Sequence, residues 1–212
     1  MLSGYKYALS KYKNIIFDFG GVIIDIDYQL TYNAFKKAGI NDFNLLFSRV
    51  KQTELFDDFE KGLISPNEFR KNIKTICNIN ISNEEFDFAW NSLLVGIPKE
   101  RILLLEKLRK NYRIFLLSNT NKIHYDCFID ELRKNFGYNK FSDIFEKDYF
   151  SFKLAIKKPD LKIFEMVLSQ NCLKPSETLF IDDTPIHIEA AKNLGVDCCL
   201  LNNNHNITDI LK

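Results

Sequence analysis

Four short runs of almost unbroken apolar residues limit what this chain can become. They are Asn14-Ile15-Ile16-Phe17-Asp18, Tyr112-Arg113-Ile114-Phe115-Leu116-Leu117-Ser118, Thr178-Leu179-Phe180-Ile181-Asp182 and Cys198-Cys199-Leu200-Leu201. Runs of this kind suit parallel strands buried on both faces. Helical patterns separate them: Lys99 to Lys110, Leu161 to Gln170, and Ile186 to Leu194 closed by Gly195. The alternation predicts an α/β fold with a doubly wound, Rossmann-like parallel sheet.

A second regime, roughly Tyr28 to Ile97, contains no convincing buried strand. Its helix starts are Ser65-Pro66-Asn67-Glu68 and Ser82-Asn83-Glu84-Glu85, both capping boxes, the first with Pro at the first helical position. Phe35, Phe43, Phe47, Phe56, Phe59, Phe69, Phe86, Phe88 and Trp90 supply enough aromatic area for a small bundle core. Most are assigned to packing, with one or two facing a cleft. The expected division is a sheet domain from residues 1–27 and 98–212, with a helical insert over 28–97.

Charge removes several classes of partner. Lys and Arg number 29 against 28 Asp and Glu, a formal charge of +1. That is too near neutrality for the basic footprint of a nucleic-acid or anionic-membrane binder. No run approaches the roughly 18 apolar residues of a membrane span, and Met1 to Asn14 lacks the apolar region of a signal peptide, so a cytoplasmic location is expected. The five cysteines are odd in number and without metal-ligand spacing; they read as reduced, mostly buried thiols. No obligate protein partner is inferred.

Four polar signals fall at the carboxyl ends of the predicted strands, where open α/β sheets bind ligands. Asp18 precedes Gly20-Gly21, glycines that let backbone approach a ligand closely, although Asp before glycines is also ordinary turn chemistry. Ser118-Asn119-Thr120 can hold phosphate oxygens or simply cap a helix. Lys157-Lys158-Pro159-Asp160 places lysines at a helix start, where a lysine pair is usually solvated. Asp182-Asp183 puts two adjacent carboxylates after a strand too apolar to want them, and a cation at their tips is the natural compensation. His187, in the helix after Asp183, is placed to approach the site, but a lone helical His is more often a surface or core residue, and His124 and His205 read the same way.

Asp18, Ser118, Lys158 and Asp182-Asp183, in that order, resemble the four motifs of the haloacid dehalogenase-like (HAD) hydrolase superfamily. The insert resembles its small α-helical cap, and Phe59-Glu60-Lys61-Gly62-Leu63-Ile64-Ser65 with Glu68-Phe69 resembles a stretch common in caps of the phosphatase subgroup. The resemblance implies a phosphatase acting on a small phosphorylated metabolite through an aspartyl-phosphate. Asp18 would be the nucleophile. Ser118, Asn119, Lys158 and Gly21 would meet the substrate, with Ser118 and Lys158 also serving catalysis. A Mg²⁺ would be held by Asp18, the Gly20 carbonyl and Asp183, with Asp182 acting through water or as an orienting group. Oxygen donors of this kind suit Mg²⁺.

One departure stands out. The superfamily's phosphatases usually carry a second Asp two residues after the nucleophile, as general acid and then base, and here the position is Gly20. A glucose-1-phosphate phosphatase-like subgroup, which this chain resembles, shares that Gly. Asp25 and Asp27 are near in sequence but read as solvated carboxylates of a linker. The same Gly keeps open a metal-independent 2-haloacid dehalogenase, against which the paired carboxylates argue. A non-catalytic phosphometabolite-binding protein is the remaining alternative.

Overall fold

In the computed structural model, residues 9–40, 54–202 and 205–211 are described. The chain forms β1 (Asn14–Phe17), a short β2 (Asp25–Ile26), and helices α1 (Tyr28–Lys37), α2 (Leu55–Glu60), α3 (Pro66–Cys77) and α4 (Asn83–Asn91). It returns through β3 (Leu94–Gly96) to α5 (Lys99–Leu108), β4 (Arg113–Ser118), α6 (Lys122–Phe136), β5 (Lys147–Phe150), α7 (Ser151–Leu154) and α8 (Leu161–Gln170). β6 (Thr178–Asp182), α9 (Pro185–Lys192), β7 (Asp197–Leu200) and α10 (Ile207–Ile210) complete it.

Five strands form a parallel sheet in the order β5-β4-β1-β6-β7, the doubly wound arrangement expected. Side-chain alternation sends the central strands into two cores. Ile15, Phe17, Ile114, Leu116, Leu179 and Ile181 pack on one face with Ile102 and Leu105 of α5, Phe128 and Leu132 of α6, and Ile207 of α10. Ile16, Phe115, Leu117 and Phe180 pack on the other with Ile163, Phe164 and Val167 of α8 and Ile188 and Ala191 of α9. Strand β5, Lys-Asp-Tyr-Phe, escapes the apolar-run criterion because it is a sheet edge that buries only its last two residues.

Both capping boxes form. Ser65 accepts from Glu68 N and its own N–H donates to Glu68; Ser82 and Glu85 repeat the arrangement. The insert has its own core, in which Phe35, Phe59, Phe69, Phe86 and Trp90 are buried and Phe59 stacks on Phe69 with ring centroids 4.0 Å apart. Phe88 departs from the packing assignment: it is 76 % exposed, on the side of α4 turned from that core. Phe43 and Phe47 lie outside the described residues.

The two chain passages between sheet and insert pair with each other. β2 and β3 form an antiparallel ribbon, Asp25 opposite Gly96 and Ile26 opposite Leu94. Buried Arg101 of α5 holds its root, pairing with Asp25 at 2.7 Å and donating to the Ile23 carbonyl at 3.1 Å. The cysteines are free as expected, but only Cys199 is fully buried; Cys77, Cys127 and Cys198 are half-buried and Cys172 is exposed. Cys198 is half-covered because β7 is the other edge of the sheet. Among the described residues no helix is long and apolar enough to cross a membrane.

Candidate active site

Sheet order brings the predicted polar residues together. β1 lies between β4 and β6, so Asp18 after β1, Ser118 ending β4 and Asp182 ending β6 emerge from three adjacent strands. This is where the winding reverses, and there the strand ends leave a crevice. Asp18 continues the ladder, its N–H donating to the Ile181 carbonyl at 2.9 Å. Its Oδ1 accepts from Phe19 N at 2.7 Å.

Lys158 reaches the same point from the loop ahead of α8. Its Nζ lies 2.9 Å from Asp18 Oδ1 and 2.6 Å from Asp182 Oδ2, and its side chain is 1 % exposed. A buried ammonium is tolerable only with partners of this kind. Asn119 fixes where it starts: the amide Nδ2 donates to the Lys158 carbonyl and Oδ1 accepts from Lys158 N, both at 2.9 Å. The Asn119 side chain thus grips the lysine's backbone. Ser118 is buried and lines the adjoining cavity.

Burial raises the Asp18 pKa, Lys158 opposes the rise and the Asp182 charge adds to it, leaving it pushed up to about 7. Burial would raise Asp182 as well, but the Lys158 charge and the His187 contact hold it well below the carboxylate range. Lys158, which burial alone would lower, is held above its ordinary value by the two carboxylates. Asp183 is raised by desolvation and by the Asp182 charge. Two carboxylates share one buried ammonium and a third, Asp183, lies against the Asp18 loop, so a hard divalent cation is the charge complement of the cluster.

The two glycines after Asp18 serve different neighbours. Gly21 has φ +69°, and a Cβ there would lie 2.2 Å from Asp183 Oδ2, so the missing side chain is what lets that carboxylate lie against the Asp18 loop. At Gly20 a Cβ would lie 2.6 Å from Ile26 Cδ1. Asp183 also accepts from Thr184 Oγ1 at 3.1 Å. Asp182 is turned inward, accepting from Thr184 N at 2.8 Å, with His187 Nδ1 3.1 Å from both its oxygens.

His187 is a site neighbour, against the surface-or-core reading that the sequence favoured for it. The available signal was its place in the first turn of the helix opened by Pro185, where side chains point back toward the N-terminus and so toward Asp182. The other departures from the sequence reading are mild. Asp25 and Asp27, expected as solvated linker carboxylates, have structural partners instead: Asp25 pairs with buried Arg101 and Asp27 caps α1 through Gln29 N at 2.8 Å. His205 is exposed, bonded to Asn202.

A cavity of about 780 Å³ opens between these strand ends and the insert. Gly20, Ser118, Asn119 and Lys157 line it from the sheet side; Tyr28, Tyr32, Phe56, Asp57, Glu60 and Trp90 line it from the insert. Lys157 is no free surface lysine: its Nζ lies 2.6 Å from Asp57 Oδ1 and 2.8 Å from Glu60 Oε2. Gly62, at φ +68°, lets the turn after α2 press on the Phe152 carbonyl, where a Cβ would come within 2.1 Å. His124 lies parallel to the Trp90 ring at 5.3 Å and contacts Asn91 at 2.9 Å; burial pushes its pKa down to about 3, so it is a neutral packing partner.

A family model described as haloacid dehalogenase-like hydrolase matches residues 12–195. A D-ribitol-5-phosphate phosphatase from Bacteroides thetaiotaomicron is 35% identical over 187 residues, covering 87% of this chain and 89% of that protein. A solved HAD-family enzyme from Bacteroides thetaiotaomicron, in complex with magnesium and inorganic phosphate, is 37% identical with a TM-score of 0.86; the match covers 95% of this chain and 100% of that one. An L-2-haloacid dehalogenase from Xanthobacter autotrophicus shares the fold alone, at 18% identity, a TM-score of 0.59 and coverage of 91% and 80%.

Proposed function

The chain belongs to the haloacid dehalogenase-like hydrolases, as a phosphatase of that family, and we propose that it is a Mg²⁺-dependent phosphomonoesterase that transfers the phosphoryl group of a small metabolite to Asp18. The observation that carries the reading is the Lys158 ammonium, buried and shared between Asp18 Oδ1 and Asp182 Oδ2. A carboxylate must attack a dianionic ester here, so cationic charge has to be in place before the substrate arrives. Asp182, with Thr184 N and His187, orients Lys158 so that one donor meets Asp18 while others remain for phosphoryl oxygens.

In the first step an Asp18 carboxylate oxygen bonds to phosphorus as the ester P–O bond breaks and the alcohol leaves; water then cleaves the aspartyl-phosphate and restores Asp18. Ser118 donates to the transferring group, Asn119 holds the lysine's backbone in register, and Gly21 makes room for Asp183. Asp18, the Gly20 carbonyl and Asp183 would hold the Mg²⁺, whose contribution when bound is neutralisation of phosphoryl charge. Asp182, spent on Lys158, is the orienting member of the carboxylate pair. The insert, residues 28–97, acts as a cap over the cavity, moving on the β2–β3 ribbon to admit substrate and exclude water.

The D-ribitol-5-phosphate phosphatase relative favours an acyclic or small sugar phosphate. Metal-independent dehalogenation is disfavoured by Asp183, a third carboxylate beside the Asp18 loop, which the ammonium shared by Asp18 and Asp182 does not neutralise. The test is phosphate release from p-nitrophenyl phosphate and a panel of metabolites headed by D-ribitol 5-phosphate, with Mg²⁺ and with EDTA. Mg²⁺-dependent release is expected. Tight binding of a panel member without any release sinks the reading in favour of a binding protein, and chloride release from a 2-chloro acid in EDTA sinks it in favour of a dehalogenase.

A further inference from the structure

An alcohol leaving from phosphorus needs a proton, and the position two residues beyond Asp18 is Gly20, packed against Ile26. The donor has to come from elsewhere in the cavity. Most of the titratable groups there are committed. Asp57 pairs with Lys157 and Lys61, and although burial opposes it, those bonds hold its pKa below the ordinary range; Glu60 pairs with Lys157. His124 is neutral and stacked on Trp90. Asp25 and Asp27 are bound to Arg101 and to the start of α1.

Tyr28 is different. It is the first residue of α1, two positions beyond the Ile26 that packs on Gly20, and its ring stands at the open rim of the cavity. Among the described residues its hydroxyl makes no hydrogen bond. We propose that the Tyr28 hydroxyl is the general acid of this enzyme, replacing the carboxyl absent at Gly20.

The proton balance closes over the two steps. As Asp18 bonds to phosphorus, the ester oxygen takes the Tyr28 proton and departs as neutral alcohol, leaving a phenolate. In the second step the phenolate takes a proton from water as the resulting hydroxide oxygen bonds to phosphorus, which releases phosphate and restores both Asp18 and the phenol. Partial desolvation at the rim, then the charges of Asp183, Glu60 and Asp18, keep the phenol's pKa above its ordinary value, so the proton is present at neutral pH.

The inference rests on the phosphatase reading, and the two fail separately. Tyr28→Phe, Tyr32→Phe and Glu54→Gln, all at cavity positions, are compared with wild type on p-nitrophenyl phosphate, whose phenolate leaves without help, and on the alkyl monoester wild type cleaves fastest, D-ribitol 5-phosphate being tried first. Tyr28→Phe is expected to lose roughly 10²-fold or more in kcat on the alkyl ester and less than about threefold on the aryl ester. A structural role would lower both alike. Equal losses, no loss on the alkyl ester, or the selective loss appearing in Tyr32→Phe or Glu54→Gln overturns the assignment. So does a wild type that cleaves only the aryl ester, since it would hold no acid at all. Inactivity of wild type on every ester sinks the phosphatase reading itself.

Discussion

Gly21 and Asp183 occupy space that only one of them can fill: a Cβ on the glycine would stand 2.2 Å from the carboxylate oxygen Oδ2. Gly21→Ala therefore pushes Asp183 away from the Asp18 loop and adds the strain of a side chain at φ +69°. Mg²⁺ activation of phosphate release should require at least tenfold more metal, with a stability loss of about 1 kcal/mol. Unchanged metal dependence would remove Asp183 from the cation site.

Asp18→Asn keeps the shape of the proposed nucleophile and removes its charge. Turnover should vanish within detection, because no other carboxylate replaces an attacking atom. Residual activity above a tenth of wild type on p-nitrophenyl phosphate would defeat the assignment.

Lys158→Met leaves Asp18 and Asp182 buried without their shared counter-charge. The expected loss is about 3–5 kcal/mol of unfolding free energy together with activity. Urea denaturation at neutral pH measures it, and a midpoint equal to wild type would show that the lysine is not the charge keeping the pair in place.

Lys157→Ala removes the ion pairs that tie α2 to the sheet side of the cavity. KM should rise severalfold more than kcat falls, and amide exchange in the β2–β3 ribbon should lose the protection that a bound phosphate analogue confers on wild type. An exchange pattern insensitive to both ligand and substitution would mean that the insert does not move as a cap.

Sheet and site differed in how far local patterning reaches. Asp18, Ser118 and Asp182 were legible because each ends an apolar strand, and strands buried on both faces advertise themselves. Strand β5 was not, since an edge needs little apolar content, and β2 and β3 are too short to carry a pattern. Lys157 looked like ordinary surface because its partners Asp57 and Glu60 lie about a hundred positions earlier in the chain. Asn119 was visible as a residue near the phosphate loop, but its grip on the Lys158 backbone is a tertiary fact. His187 needed the exact start of α9, set by Pro185, before its direction could be read.

The antiparallel pairing of β2 with β3 means that the helical insert departs from and rejoins the rest of the chain at one seam. An appendage whose two ends are already stitched together imposes no spacing on the sheet beneath. The helices beyond α1, which carries Tyr28, can be lengthened, trimmed or exchanged while the strand register below stays as it is.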